Sequence, residues 1–237
     1  MSKEQREFIR TYKFNKVLTL FIQIMMVVSL LIGWELLSKE LFKHIWITLY
    51  ETLIAFGIGM LISILLSTVL YLYNGLYKIL DPFITALNSL PKVALGPMII
   101  IVAGANVRSV ILMAVLINVI VSTVVITNGF YGTDKVRIKL LKSYKASKYQ
   151  ILRYLVIPSS INTIISSFKL SISMSLIGVI SGEFLVSNGG IGYLIIYGTQ
   201  VFNLDLVISG IVILVILSTC LYYVLLGVEK MLTKKRA

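Results

Sequence analysis

The chain has 237 residues, 58% of them hydrophobic and 14% charged, with mean hydropathy +0.95 and a net charge of +12. Those values exclude a soluble globular domain and fit one polytopic membrane domain. One histidine (His44) and one cysteine (Cys220) leave no His-based metal cluster, catalytic triad or disulfide framework to build within one chain. The N-terminus imitates a signal peptide, but its apolar run exceeds an h-region of roughly 7–15 residues and no small-x-small site follows. A retained first span is therefore expected at 17–37. Further spans are expected at 52–73, 82–103, 110–127, 161–185 and 206–228. The stretch 184–204 is also uncharged, yet Ser187-Asn188-Gly189-Gly190-Ile191-Gly192 favours a turn there. It reads as a re-entrant or extracytoplasmic segment.

The placement of basic residues sets the expected topology. Of 22 lysines and arginines, seventeen fall in 1–16, in 135–153, in the tail from 230, and at Lys78. The positive-inside rule assigns these, with both termini, to the cytosol. Lys39, Lys43, His44 and Arg108 fall in opposite loops, and Lys92 and Lys169 lie within spans. Six crossings satisfy this arrangement and seven do not. The charge is thus a topology signal, and no nucleic-acid partner is expected. The expected organisation is 1–47 (tail, first span and short outer loop), 48–229 (core) and 230–237 (basic tail).

No G-x-x-x-x-G-K-[ST] occurs, so the chain cannot cradle a nucleotide by itself. The ten carboxylates are scattered, with no two in one span at helical spacing to make a metal pair. Any energised work must draw on a partner.

The segment 134–158 breaks the apolar pattern. Thr133 or Asp134 caps an expected helix through Tyr144, with Ile138, Leu141 and Tyr144 near one face. Lys145-Ala146 forms the turn. Ser147-Lys148-Tyr149-Gln150 is a capping-box pattern opening a second helix, whose apolar side is Ile151, Leu152 and Leu155. Pro158 is expected to disrupt that helix and mark re-entry into the membrane. Such a pair can lie in a hydrophobic groove of a partner or rest on anionic headgroups. Pro91 and Pro97, inside the third expected span, can kink it or be absorbed by neighbouring helices. Lys92 snorkels. Glu183, late in the fifth span, must face a cavity, a partner or the interface, because a mid-membrane carboxylate costs roughly 2.5–3.5 kcal/mol. Pairing with the amides of residues 188–192, or a gating role with Gly189, Gly190 and Gly192, would satisfy it. Gly57 with Gly59, and Gly178 with Gly182, are spaced for close helix approach.

The ordered set Asp81-Pro82, Leu90-Pro91, Pro97, Ala146-Ser147, Val156-Ile157-Pro158, Gly182-Glu183-Phe184, Gly189-to-Tyr193 and Asp205-to-Val207 resembles the permease subunit of a binding-protein-dependent ABC importer of the sulfonate, taurine and nitrate branch. The resemblance runs from about 48 to 228. It implies an all-α fold of the type I importer permeases, with six transmembrane helices and a cytosolic coupling-helix pair. It also implies a multi-pass subunit of the bacterial plasma membrane. Its partners would be cytosolic ABC ATPases, which use ATP and Mg, a second permease copy (homodimer or heterodimer), and an extracytoplasmic solute-binding protein. This chain would bind no cofactor and catalyse no covalent step. The family's loop usually reads Glu-Ala-Ala, three residues, then Gly. Here Lys139, Leu140 and Leu141 stand first, Lys145 takes the glycine position, and Ser167-Phe168-Lys169 replaces a frequent Gly-Leu-Arg. A small anion is the expected solute, although the branch also serves pyrimidine vitamin precursors. The alternatives are the scaffold subunit of an energy-coupling-factor vitamin transporter and a stand-alone membrane carrier.

Overall fold

A computed structural model of the protein describes residues 39–186 and 188–234, so the expected span at 17–37 and residue Ser187 lie outside the described residues. The chain divides into two units, 1–43 and 44–237. Of the first, only 39–43 are described, as the opening turn of a helix; the second holds everything below.

Helix α1 (Lys39–Leu72) is 34 residues long, about 50 Å at 1.5 Å per residue. Its face at Thr48, Thr52, Ala55, Ser63 and Ser67 is buried, while Trp46, Tyr50, Leu53, Leu61 and Leu65 are exposed. Small and polar residues turn inward and bulky apolar ones outward, as lipid rewards. The helix runs unbroken through 47–48, and His44, expected in an outer loop, is part of it.

After α2 (Asn74–Ser89) come a 3-10 turn (Lys92–Leu95) and α3 (Gly96–Ala103), the two arms bent by 97°. The span expected at 82–103, with prolines able to kink it, is thus a sharply bent pair of shorter helices whose first arm begins at Asn74. Leu90 is extended (ψ 143) before Pro91, because the proline ring disfavours an α conformation in the residue preceding it. Pro97 sits in the first turn of α3, where its missing N–H costs nothing, so it starts a helix and does not kink one. Pro82 is the proline inside a helix. Lys92 curls back to donate from Nζ to the Asn88 carbonyl at 2.7 Å.

Helix α4 (Val107–Tyr131) opens on an Asn106–Ser109 capping box. The helices α5 (Lys135–Ser143) and α6 (Lys148–Ile151), a π turn (Leu152–Val156) and α7 (Ile157–Ser159) lead into α8 (Ile161–Val186). Then follow α9 (Ile191–Gln200) and α10 (Leu204–Lys234). Four helices are long and apolar enough to cross a membrane, or five with the bent pair, and no strand occurs among the described residues. At ten residues, α9 reaches about 15 Å and cannot span a bilayer core of about 30 Å.

The core is the seam between α4 and α8, with α1 laid against it. A Cβ on Gly182 would stand 3.0 Å from the Val110 Cα, and one on Gly178 would run into the Ala114 backbone. Gly59 makes room for the Asn118 side chain, whereas Gly57 faces open space. Asn118 ties the seam together. Its Nδ2 donates to Ser175 Oγ at 2.9 Å, and its Oδ1 accepts from Ser122 at 2.8 Å and Ser171 at 2.6 Å. In lipid an unpaired amide has no water to turn to, so this network also fixes which faces meet. Lys169 forms an ion pair with Glu229 of α10 at 2.9 Å. Cys220 is exposed on α10.

Candidate functional site: an elbow and a latch at opposite ends

At one end α1, α4 and the 134–160 segment meet. Asp134 caps α5 by accepting from the Val136 amide at 2.8 Å. The helix closes in a Schellman motif, with the Ala146 amide bonded to the Leu141 carbonyl (3.0 Å) and the Lys145 amide to the Lys142 carbonyl (2.9 Å). That closure needs a left-handed residue, and Lys145 supplies it at φ +58. Ser147 and Gln150 form the reciprocal capping box, at 3.2 and 2.7 Å. Pro158 does not end the second helix. The π turn at Leu152–Val156 widens the backbone ahead of the ring, so helix continues to Ser159 and the break falls at Ser160. A wider turn relieves the clash between a proline and the carbonyl four residues before it.

The apolar residues of this elbow divide in two. Ile151, Leu152 and Val156 are buried with Met60, Ile126 and Phe130, and Ile138, Leu141, Ala146 and Leu155 pack on that cluster. The side expected to meet a partner is thus already occupied by the chain's own helices. What stays exposed is Val136 and Leu140 on α5 with Tyr144 at its C-cap, at i, i+4 and i+8, together with Tyr149 and Tyr154 farther on, and Lys145 and Ser147 are exposed between them.

At the other end α9 enters from Asn188, Gly189 and Gly190, where Gly190 takes φ +100. A helix start leaves amides without partners, and here three side chains serve them. The Gly190 amide donates to His44 Nδ1 (2.9 Å), Ile191 to Thr48 Oγ1 (2.8 Å) and Gly192 to Glu183 Oε2 (2.6 Å). Thr48 in turn donates its hydroxyl proton to Glu183 Oε1 at 2.6 Å. A Cβ on Gly190 or Gly192 would collide with the Glu183 side chain, so both glycines are needed for this approach. Tyr193 stacks on His44 at 5.8 Å. Glu51, one turn beyond Thr48, is fully buried, and neither of its carboxylate oxygens has a hydrogen-bond partner among the described residues.

The bent pair presents a third feature. Tyr77, Asp81 and Thr85 follow one face of α2, at i, i+4 and i+8, across a cleft of about 300 Å³ from Thr123 and Thr127 of α4. Neither of those buried threonine hydroxyls has a hydrogen-bond partner among the described residues. The cleft lining holds a carboxylate and no basic side chain. Pro91 and Pro97 lie at the bend, where the neighbouring Gly96 sits against the Leu185 and Met113 side chains.

Sequence reasoning located Glu183 and the glycines but missed His44, Thr48 and Glu51. Those three share one face of α1 at i, i+4 and i+7. They lie more than 130 residues from their partners, so nothing local announces the pairing. A carboxylate at the edge of an apolar run is the one signal available, and placing the expected span's start at 52 hid it.

Comparison with known proteins agrees with this architecture. A probable ABC transporter permease protein of Haemophilus influenzae is 27% identical over 186 residues, 78% of this chain and 76% of that one. The putative aliphatic sulfonates transport permease protein SsuC of Bacillus subtilis is 27% identical over 186 residues, covering 75% of this chain and 64% of SsuC. An inward-facing structure of the MetNI methionine ABC transporter superposes with a TM-score of 0.72 at 17% identity, over 82% of this chain and 99% of that one. The profile described as binding-protein-dependent transport system inner membrane component matches residues 59–235, and the chain belongs to that family.

Proposed function

We propose that this chain is the membrane permease subunit of an ABC importer, forming the solute path and taking its motion from a cytosolic ATPase. The reading is carried by one observation. On a chain of this family, the elbow is built rigidly into the helix bundle and still presents an unpaired apolar stripe, Val136–Leu140–Tyr144. A stripe at that spacing is what a helix offers to a hydrophobic groove. Force applied to α5 passes through Leu141 and Ala146 into the cluster of Ile151, Leu152 and Phe130, and so into α1 and α4. The elbow end and both termini would face the cytosol. The latch at Glu183–Tyr193 would face an extracytoplasmic binding protein, and the exposed apolar faces of α2, α3 and α10 would meet lipid and a second copy of the permease. ATP and Mg would be held by the ATPase. Alternating access then consists of the elbow rocking the seam while the latch opens.

The branch resemblance and the sulfonate relative support a small anion as solute. A second reading, a neutral nitrogen heterocycle, is favoured by the cleft at Asp81, where a carboxylate and no cation would meet the cargo. The test of the central reading is co-purification. Leu140→Asp with Tyr144→Ala removes the stripe from exposed positions, so the variant should insert and fold normally yet lose its P-loop ATPase and ATP-dependent uptake. Retention of both in that variant would refute the docking assignment.

A further inference from the structure

The root of the elbow holds a polar groove that the importer reading leaves unused. It has a volume of about 570 Å³ and lies where the last turns of α4, the start of α5 and the α7–α8 junction meet. Gly129 brings α4 and α8 together on its lining, since a Cβ there would stand 2.7 Å from Thr163 Cγ2. Thr133, on the same lining, is 6% exposed, and its hydroxyl has no hydrogen-bond partner among the described residues. Buried hydroxyls are rarely left so, and one that borders a groove can be served by what the groove holds. Arg137 follows one turn later, on α5. It meets Asp134 through Nε at 3.6 Å, beyond hydrogen-bond range, so its two terminal nitrogens keep their donors. Asp134 is the one acid on the lining, and it is engaged in capping the Val136 amide at 2.8 Å. The Ser159 and Thr163 hydroxyls and the Asn128 amide complete the polar walls.

We infer that this groove binds a small oxyanion: a sulfonate, a nitrate or a phosphate group. The terminal nitrogens of a guanidinium match two oxygens of such an anion side by side. The Thr133 hydroxyl supplies a further donor from a buried position, and Ser159 and Thr163 supply others from α7 and α8. Asp134 offsets one positive charge, but the seven lysines and arginines of 135–153 keep the local field attractive to anions. The volume exceeds what the anion fills and leaves room for its waters or for an organic tail. Held there, the anion would touch the end of α4, α5 and α8 together and brace the elbow against the bundle. This goes beyond the importer reading and does not depend on it. A free ion and a phospholipid headgroup share this chemistry, and the test separates them.

The full chain is purified in a maltoside detergent free of phospholipid, and chloride is compared with methanesulfonate and inorganic phosphate at matched ionic strength. The oxyanions should raise the unfolding midpoint and slow hydrogen exchange at 133–137. Arg137→Gln, at an exposed position, should demand at least tenfold more anion for the same gain, and Thr133→Val should lose most of the gain while still folding. The measurement is then repeated in phosphatidylcholine nanodiscs. Protection that needs no added anion there, and that Arg137→Gln abolishes, identifies a lipid phosphate as the source; protection that still needs the anion identifies a free ion. If chloride and the oxyanions act alike in detergent, or if Arg137→Gln keeps the full gain, the proposal is overturned. ATPase co-purification reads the importer assignment separately, so either can fail alone.

Discussion

The elbow and the latch solve one problem by opposite means. Each holds irregular backbone against the end of a helix bundle, where orphan amides and carbonyls need partners. At the elbow those groups are served by neighbours in sequence, through the Asp134 cap, the Schellman turn at Lys145 and the Ser147–Gln150 box, and the unit is then glued down by apolar packing. At the latch they are served from more than 130 residues away by His44 and Thr48, which bond the amides beside and at the buried Ile191. On the proposed reading, the elbow would transmit force and would gain from being one packed body with the helices it moves. The latch would open and would gain from a few directional bonds that exchange together.

The comparison breaks most sharply at the elbow's core. Ile151 and Leu152 are 3% and 2% exposed, so Ile151→Asp with Leu152→Asp places two unpaired charges in the cluster. The cost is several kcal/mol per charge, and the expected outcome is loss of folded protein from the membrane fraction, measured by size-exclusion recovery in detergent. Survival of folded protein that merely fails to bind an ATPase would mean that these residues face a partner. The same logic at the seam between the two ends predicts that Gly178→Leu, whose first side-chain carbon already meets Ala114 backbone, lowers stability by about 1–3 kcal/mol through overpacking.

At the latch, Thr48→Val keeps the shape and removes a hydroxyl that both donates to Glu183 and accepts from Ile191. The expected loss is about 1–3 kcal/mol. Because those bonds are confined to one end, hydrogen exchange should quicken at 188–192 and not at 134–160. Uniform quickening would show that the ends are not separable. Midway along the seam, Asn118→Ala removes four buried hydrogen bonds. At about 0.6 kcal/mol per bond in membrane proteins, a loss near 2 kcal/mol is expected in a reversible unfolding titration.

How much was legible follows the same division. The elbow's caps, its turn at Lys145-Ala146 and its second helix start were written in adjacent residues, because a capping box or a Schellman closure is a local bargain between backbone groups a few positions apart. The interruption before Gly192 was legible for the same reason. What could not be read was direction. Ile151 and Leu152 form an apolar side under any periodicity argument, but whether it meets the chain's own α1 and α4 or another protein depends on residues as distant in sequence as Met60. The bend at Leu90–Pro91 was half legible: a proline pair signals disruption, but the sequence does not say that Pro97 starts a new helix at 97° to the last. The latch on α1 left one local trace, a carboxylate at the edge of an apolar run, since His44 and Thr48 acquire meaning only when α9 is folded back onto them.

The smallest effect isolates what the elbow's local bonds require. Lys145 holds φ +58, a region that costs an L-residue roughly 1–2 kcal/mol and glycine nothing. Replacing it with glycine relieves that strain but frees the unfolded chain, which takes back about 0.5–1 kcal/mol. Strain relief wins by a narrow margin, so Lys145→Gly should stabilise the protein by up to about 1 kcal/mol in a thermal or denaturant titration, with the Schellman bonds intact. The side chain is exposed and lies beside the Val136–Leu140–Tyr144 stripe, so the same variant asks a second question. If ATPase co-purification persists while stability rises, the lysine is a tolerated occupant of a glycine position. If stability rises and the ATPase is lost, the lysine's charge is part of the docking face, and the strain at this turn is retained because the partner reads it.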